Sequence, residues 1–448
     1  MTVIQSLDTQ SNVIQQFQSL IGSAHVTAGD DLDQPLRDRL STAIAPQAPL
    51  PCIVYPNTQE ELADVVACAA QHGWRLLPIG SGSKVHWGGL AHTIHALVST
   101  TRLNRLIDHA VGDLTITAES GMRFRTLTDT LQHAQQHLGI DPMYVDQATI
   151  GGIVATGDTG ALRQRYGGVR DRLIGLSLVR ADGTVAKAGG RVVKNVAGYD
   201  LMKLMTGAYG TLGILSQLTF RVYPKAETSQ TVVLVGDGPA IQSLTAAVLA
   251  SSLTPHRFDV LSPVFVHALG LGNGVGLVVQ FESIAISVEQ QVKQLSAMAT
   301  ALTVTIGDCR QQESESALWK QLQDVIEHPG NNVPITCKIG VLPNQVIPAI
   351  QQLPHLLPTA AIARIHASSG LGQVQFDGAA IAPTAILPLR RWCESQNGFL
   401  TILEAPLNWK QQLDVWGYSG NSLSVMQKLK EQFDPQHVLN PGRFVGSI

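Results

Sequence analysis

Apolar and polar positions alternate between helical and strand periods from residue 51 onward. Apolar residues within 62–69 recur at helical spacing, and Gly73 stands just past the last of them. Thr58 precedes this run with Glu61 three residues later, a pattern that predicts a capping box in which Glu61 reaches back to the N-cap. A short strand is expected on each side of the helix, and the second strand enters the glycine-rich segment 80–83.

Further strands and helices follow in the same way. Residues 114–118 alternate as a strand, a helix is predicted near 123–138, and 174–188 forms a hairpin around an Asp-Gly turn. Beyond residue 226 the expected order is strand (231–235), helix (239–252), strand (257–261), strand (276–282), helix (287–302) and strand (303–307). A less clear strand–helix pattern occupies 334–404. This order predicts an α+β layer, with an antiparallel sheet and helices on one face.

Composition narrows the class of protein. Of 448 residues, 44% are hydrophobic and 15% are charged, which is ample for buried cores and unlike a disordered chain. The net charge of -3 and the lack of a basic run argue against nucleic acid and direct membrane-surface binding. We expect no signal peptide and no transmembrane span, and therefore a cytoplasmic protein whose membrane attachment, if any, is peripheral and through partners.

The five cysteines form no C-x-x-C pair, which argues against an iron–sulfur cluster or zinc site within the chain. They are expected to be mostly buried free thiols in a reducing compartment.

Three glycine-rich turns carry the candidate chemistry. The first, Pro78–Lys84, can turn several backbone N–H groups toward one anion, although such a turn by itself is often only a turn. It fits neither a Rossmann fingerprint, since Val85 stands where the third glycine belongs, nor a P-loop. The second, 146–157, suits either a flat or anionic ligand or close helix–strand packing. The third is 207–214.

Taken in order, the three turns resemble those of the vanillyl-alcohol-oxidase family, whose flavin domain is called PCMH-type. The ending Asp434-Pro435 to Asn440-Pro441-Gly442-Arg443 is similar to the tail that returns to the flavin in 2-hydroxy-acid dehydrogenases of that family. The segment 190–201 and the following Gly-x-Tyr-Gly-Thr-Leu-Gly turn look like the FAD-binding subunit of bacterial glycolate oxidases. The larger subunit usually has Glu where this chain has Tyr209, which favours the smaller one.

The resemblance implies an α+β, two-lobed PCMH-type FAD-binding domain followed by an α+β cap domain. The expected parts are an N-terminal helical lead-in (1–45), the FAD-binding domain (46–225), the cap that meets substrate or partner (226–430) and a C-terminal tail returning to the flavin (431–448).

The same resemblance implies that FAD is the cofactor. The residues that it assigns to FAD are Pro78, Gly80, Ser81, Gly82, Ser83, Lys84, Asp146, Thr149, Gly151, Gly152, Thr156, Gly157, Gly160, Gly210, Thr211, Gly213, Ile214 and Asn440. Lys194 and Arg443 are the candidate catalytic residues, either as charges near the flavin N1/C2=O or a substrate carboxylate, or as ordinary ion-pair and helix-end contacts.

Two departures from the family pattern set further expectations. Metal-dependent relatives carry H-x-G-D-G-N-x-H, whereas the corresponding segment here, Ile365–Gly372, lacks the Asp and the second His. We therefore predict no metal, and His366 as a structural or surface residue. Covalently flavinylated members carry a His in the region where this chain has Lys84, and no Cys lies near Gly151, so the FAD is expected to be non-covalent.

The implied function is that of an FAD-binding subunit of a glycolate or other 2-hydroxy-acid oxidase. The family resemblance adds two partners, a second FAD-containing subunit and an iron–sulfur subunit. Two alternatives stay open at this point: a non-catalytic assembly subunit that contains FAD, and a self-sufficient oxidoreductase of another alcohol or sugar acid.

Overall fold

The structure, a computed structural model, describes residues 3–191, 199–330 and 333–448. It divides into two compact units. The first consists of Met1–Thr159, Gly168–Pro224 and Gly420–Ile448, and the second of Gly160–Gly167 and Lys225–Ser419. The segment Gly160–Gly167 thus groups with the second unit, although the sequence places it within 46–225.

The α-helices are α1 (Val3–Ile21), α2 (Gln34–Ser41), α3 (Gln59–His72), α4 (Phe124–His133), α5 (Ile150–Thr156), α6 (Arg163–Tyr166), α7 (Val169–Arg172), α8 (Leu201–Met205), α9 (Gly238–Leu249), α10 (Pro263–Ala268), α11 (Ala285–Ala301), α12 (Gln312–Glu327), α13 (Val346–Leu356), α14 (Leu387–Ser395), α15 (Leu407–Gln412) and α16 (Leu423–Phe433). The strands are β1 (Val26–Thr27), β2 (Cys52–Val54), β3 (Leu76–Ile79), β4 (Ala96–Ser99), β5 (Leu106–Ala110), β6 (Thr115–Glu119), β7 (Gln136–His137), β8 (Leu173–Val179), β9 (Val185–Gly189), β10 (Ile214–Arg221), β11 (Tyr223–Pro224), β12 (Thr228–Gly236), β13 (Arg257–Leu261), β14 (Val275–Ser283), β15 (Thr305–Gln311), β16 (Pro334–Gly340), β17 (Ala361–His366), β18 (Leu371–Asp377) and β19 (Phe399–Glu404).

The first unit is built on two larger sheets. One has the order β1-β2-β4-β3, in which β4 pairs in parallel with β2 and β3 while β1 is antiparallel to β2. The other is antiparallel, with the order β5-β6-β10-β8-β9. The hairpin predicted over 174–188 is the β8–β9 pair. Strand β3 ends at the first glycine-rich turn, and β10 begins at the third. These two turns therefore lie at the ends of the two sheets.

Both ends of helix α3 were predicted correctly from local sequence signals. Thr58 is its N-cap, with the side chain accepting from the Glu61 N–H at 3.1 Å, and Gly73 ends it in the left-handed region, as predicted. The reciprocal half of the capping box was wrong. Glu61 Oε2 accepts instead from the backbone N–H of Asn57 at 2.7 Å and from the Asn57 side chain. The carboxylate thus stabilises the residue before the cap.

The second unit contains one antiparallel sheet with the order β15-β12-β14-β13-β17-β18-β16-β19. Alternate residues such as Val232 and Leu234 pack into a core shared with helices α9, α11, α13 and α14. The α+β class predicted from the sequence is confirmed.

The expectation that all helices of this layer lie on one face was wrong for α12. Trp319 of α12 donates its indole N–H to Thr231 Oγ1 at 2.9 Å, and Thr231 points away from the core that holds Val232. Glu315 of the same helix accepts from Thr231 at 2.6 Å and from Gln280 at 2.9 Å. Helix α12 therefore covers part of the opposite, polar face.

Cys52, Cys337 and Cys393 are buried, whereas Cys309 is exposed. Within the described parts of the chain, none of the helices is long and apolar enough to cross a membrane.

Candidate FAD site

A cleft in the first unit brings the three glycine turns together with the C-terminal tail. Its empty volume, including the part open to solvent, is about 880 Å³. The predicted FAD residues that line it are Pro78, Gly80, Ser81, Gly82, Ser83, Lys84, Thr149, Gly151, Gly152, Thr156, Gly210, Gly213, Ile214 and Asn440. These residues come from four separate stretches of chain, so the tertiary fold creates the cleft.

The first turn leaves β3 and packs directly on the second. A Cβ on Gly80 would lie 2.1 Å from Thr149 Oγ1, so the two turns approach more closely than a side chain permits. Gly82 has φ +76°, in the left-handed region that favours glycine. Ser81 Oγ donates to the Gln147 carbonyl at 2.5 Å, which fixes the spacing between the turns.

Lys84 has a role that the sequence did not reveal. Its Nζ lies 2.6 Å from Asp158 Oδ2, and the two side chains are only 4% and 9% exposed. Asp158 also accepts the Met143 N–H at 2.8 Å. A buried ion pair of this kind holds the end of the first turn near the end of α5. Asp158 was missed because a lone acid 74 residues away carries no local signal.

The second turn is the start of helix α5 rather than an open loop. Thr149 is the N-cap and accepts the Gly152 N–H at 3.2 Å, while Gly157 ends the helix with φ +64°. The Gly151 N–H donates to the Ser120 carbonyl at 2.7 Å, and a Cβ there would come within 2.8 Å of Ser120. The paired glycines thus serve close backbone packing, one of the two roles expected for them.

The third turn is bonded to α5 through its main chain. The N–H groups of Gly207 and Tyr209 each donate at 2.9 Å, to the carbonyls of Val154 and Ala155. Tyr209 has φ +53°, an uncommon conformation for a residue with a side chain. Burial raises the pKa of the Tyr209 hydroxyl, with Arg443 opposing and Asp158 adding to the shift, so the phenol stays protonated at neutral pH.

The C-terminal tail joins the same group by continuing the sheet edge. The Leu76 N–H donates to the Val438 carbonyl at 2.7 Å, and the Asn440 N–H donates to the Leu76 carbonyl at 2.8 Å. The side-chain amide of Asn440 donates to the Tyr209 carbonyl at 2.6 Å. The tail therefore lies against the third glycine turn at Asn440, and its return to the flavin stays a prediction.

Arg443 lines the cleft, but its guanidinium is engaged with the backbone. Nη1 donates to the carbonyls of Ala43 and Gly89 at 2.9 and 2.8 Å, and Nη2 donates to the Val85 carbonyl. Burial lowers its pKa to about 10, with Tyr209 opposing, so it remains charged at neutral pH. These contacts fit a residue that anchors the tail, and a catalytic role for Arg443 stays a prediction.

Several predicted residues lie elsewhere. Asp146 is mostly exposed and pairs with Arg125 at 2.7 Å. Thr211 is buried and donates to the Ala208 carbonyl, and neither it nor Gly157 lines the cleft. Gly160 groups with the second unit. Lys194, the other candidate catalytic residue, lies outside the described residues.

The cleft fits a dinucleotide such as FAD on two observations. Turns with positive-φ glycines at 82 and 210 line it and can present main-chain N–H groups to an anion. In addition, Asn440 Oδ1 is buried and has no hydrogen-bond partner among the described residues. A buried amide oxygen without a partner costs free energy, which a ligand N–H or O–H would recover.

The second unit carries a polar sheet face of its own, made of Arg257, Asp259, Arg364 and His366. Asp259 is fully buried and accepts from Arg364 Nε at 2.7 Å, and its other oxygen lies 2.5 Å from His366 Nδ1. The guanidiniums of Arg257 and Arg364 lie 4.6 and 5.4 Å from the Trp319 ring centroid. The i, i+2 spacing of Arg257 with Asp259 and of Arg364 with His366 would have predicted this shared face.

His366 therefore has a carboxylate partner, in keeping with the structural role expected for it. Among the residues that the structure describes, no group of three or more His, Cys, Asp or Glu side chains is arranged to hold a metal ion. The expectation of no metal stays a prediction.

Similarity to known proteins also indicates FAD as the ligand of the cleft. A family model described as an FAD binding domain matches residues 50–189, which include the first two glycine turns. The chain thus carries an FAD binding domain and is an FAD-dependent oxidoreductase. FAD is its cofactor, and the resemblance to an FAD-binding family seen in the sequence is confirmed.

This flavoprotein is also similar to two glycolate oxidase subunits and to one solved structure of a flavoprotein fold. Glycolate oxidase subunit GlcD of Bacillus subtilis (strain 168) is 23% identical over 421 residues, which cover 87% of this chain and 88% of that protein. Glycolate oxidase subunit GlcE of Escherichia coli (strain K12) is 37% identical over 152 residues, 34% of this chain and 43% of that protein. The crystal structure of p-cresol methylhydroxylase with substrate bound superimposes with a TM-score of 0.77 at 15% identity, covering 97% of this chain and 96% of the other, which supports a PCMH-type fold.

Proposed function

We propose that this flavoprotein is the FAD-binding subunit of a glycolate or related 2-hydroxy-acid oxidase complex, and that it passes electrons from the hydroxy acid through its flavin to a partner. The observation that carries the proposal is the cleft itself, formed by three glycine turns and the Asn440 tail. The similarity of the chain to two glycolate oxidase subunits supports this substrate class and the subunit role.

FAD bound in the cleft supplies an acceptor for the two electrons removed from a CH–OH carbon. The chain's own residues bind and orient it. Backbone N–H groups of the first turn would face the diphosphate, and Asn440 Oδ1 would accept from the cofactor. The buried pair of Lys84 and Asp158 holds the first turn in place. The FAD itself would be bound non-covalently.

The second candidate is a non-catalytic assembly subunit whose FAD is structural or only relays electrons. The contacts of Arg443 favour it, since the guanidinium that could have met a substrate carboxylate donates to three main-chain carbonyls. The proposed partners are the same in both cases: a second FAD-containing subunit and an iron–sulfur subunit.

Anaerobic glycolate titration separates these functions. The chain is purified alone and, separately, co-expressed with the two proposed partner subunits, and bleaching of the flavin band and glycolate-dependent dye reduction are measured per FAD. D-Lactate serves as the next larger 2-hydroxy acid. We expect weak or no turnover by the chain alone and rapid turnover by the complex.

Equal turnover per flavin in both samples would overturn the subunit role and indicate a self-sufficient dehydrogenase. In the complex, a variant of this chain that lacks FAD but leaves turnover intact would favour the assembly role. Failure of the chain to co-purify with either partner would contradict both.

A further inference from the structure

Helix α16 ends in a buried ion pair that lies outside the lining of the cleft. Lys430 is 1% exposed and Asp434 is 0% exposed, and Lys430 Nζ lies 2.6 Å from Asp434 Oδ2. Burial lowers the pKa of Lys430, while Asp434 opposes that shift. A buried pair of this kind is weak evidence for stability, because removing two charges from water costs about as much as their attraction returns. Its contacts indicate a different purpose.

The ammonium group of Lys430 joins two of the segments that form the cleft. Besides Asp434, it donates to the Thr211 carbonyl at 2.9 Å and to the Leu439 carbonyl at 2.7 Å. An ammonium has three N–H donors, and these three acceptors use all of them. Thr211 belongs to the third glycine turn and Leu439 to the C-terminal tail, so one side chain fixes the spacing of both.

Asp434 completes the clamp from the other side. Its Oδ1 accepts the Val438 N–H at 2.9 Å, and its Oδ2 accepts the Leu439 N–H at 2.8 Å. Both main-chain polar groups of Leu439 are therefore held by the pair. The next residue in the chain is Asn440.

Asn440 is held so that one atom is left for a ligand. Its backbone is in the left-handed region (φ +52°), and its side-chain N–H donates to the Tyr209 carbonyl of the third turn. That bond decides which way the amide points, so Oδ1 is the free acceptor. Oδ1 is buried without a partner among the residues the structure describes, and Asn440 lines the cleft.

We propose that Lys430 and Asp434 are positioning residues for FAD: they hold the tail and the third turn in one register, so that Asn440 Oδ1 accepts a hydrogen bond from an N–H or O–H of the bound cofactor. This inference rests on FAD binding and not on glycolate as the substrate. It therefore stands or falls independently of the proposed oxidase complex.

The test is a double-mutant cycle read out as FAD affinity. Apo-protein of the wild type, Lys430→Met, Asn440→Ala and the combined variant is titrated with FAD, and flavin fluorescence, the visible absorption spectrum and the Tm of the apo-protein are recorded. Lys428→Met changes an exposed lysine on the same helix and is the matched control. The cycle detects coupling that single variants cannot show.

We expect Asn440→Ala to weaken FAD binding about tenfold, the usual effect of losing one buried hydrogen bond. Lys430→Met should weaken it at least as much and shift the flavin spectrum, and adding Asn440→Ala to it should have little further effect. Lys428→Met should bind FAD as the wild type does. Independent effects, in which the two losses multiply, would overturn the proposal, as would an Asn440→Ala variant with unchanged affinity.

Lys430→Met alone leaves a buried carboxylate without its cation, which lowers the stability of the fold as well as FAD binding, so a second variant is included. Lys430→Met with Asp434→Asn removes both charges, a change that buried pairs often tolerate. We expect this variant to fold, by its far-UV circular dichroism, and to bind FAD at least tenfold more weakly. If it folds and binds FAD with wild-type affinity, or if its affinity falls only in proportion to a lower fraction of folded protein, the pair is merely structural and the proposal is wrong.

Discussion

At the scale of single residues, the first glycine turn depends on the absence of a side chain at Gly82. The residue has φ +76°, and a Cβ would lie 2.9 Å from Leu36 Cδ1. Gly82→Asp adds both a clash and a negative charge where we expect a diphosphate, so FAD occupancy should fall by at least tenfold. Occupancy is measured by the ratio of flavin absorbance to protein absorbance after purification.

Gly73→Asp is the matched control for this change. Gly73 has a similar φ of +67° at the end of α3, with open space where a Cβ would be, and it does not line the cleft. It should show the backbone strain of a positive φ without the loss of flavin. Full occupancy in Gly82→Asp would mean that the first turn is not the phosphate cradle.

At the scale of elements, the polar sheet face links β13 to β17 through one carboxylate. Burial would raise the pKa of Asp259, but the charges of Arg364 and His366 outweigh it and hold that pKa well below its usual range. A depressed carboxyl pKa contributes stability above the unfolded value of about 4 and loses it as the pH falls toward the folded value. We expect the wild type to lose this contribution below pH 4.

Asp259→Asn tests that expectation. It should destabilise the protein at pH 7 by about 3 kcal/mol, since it leaves the mostly buried Arg364 guanidinium without its carboxylate, and the difference from the wild type should shrink between pH 4 and pH 2.5. Urea unfolding at the three pH values measures it, with Glu289→Gln on the exposed side of α11 as the control. A difference that stays constant with pH would show that folding does not lower the pKa of Asp259.

At the scale of the whole molecule, the predicted independence from metal can be tested directly. The segment Ile365–Gly372 lacks the Asp and second His of the metal-binding pattern, and His366 faces Asp259. We expect the purified flavoprotein to contain no stoichiometric divalent metal, and EDTA to leave its Tm, FAD content and any flavin reduction unchanged. Elemental analysis and a melting curve with and without chelator measure this. Loss of flavin reduction with EDTA that zinc or manganese restores would contradict it.

The sequence by itself determined the features that depend on neighbouring residues. The cap at Thr58, the left-handed end at Gly73 and the β8–β9 hairpin follow from local backbone preferences and short-range hydrogen bonds. The glycine turns were visible for the same reason, because positive φ and close approach restrict the residue type at each position. Their order along the chain, through its resemblance to a known family, then indicated FAD.

Tertiary structure decided which distant residues meet. Lys84 pairs with Asp158 across 74 residues, Lys430 reaches Thr211 across 219, and Arg443 reaches Ala43 across 400. A buried charge must find its partners wherever the closed chain puts them, and no periodicity along the sequence records that choice. The same reason explains why α12 lies on the opposite face of the sheet and why Glu61 bonds Asn57: in both cases several polar partners were possible, and packing selected among them.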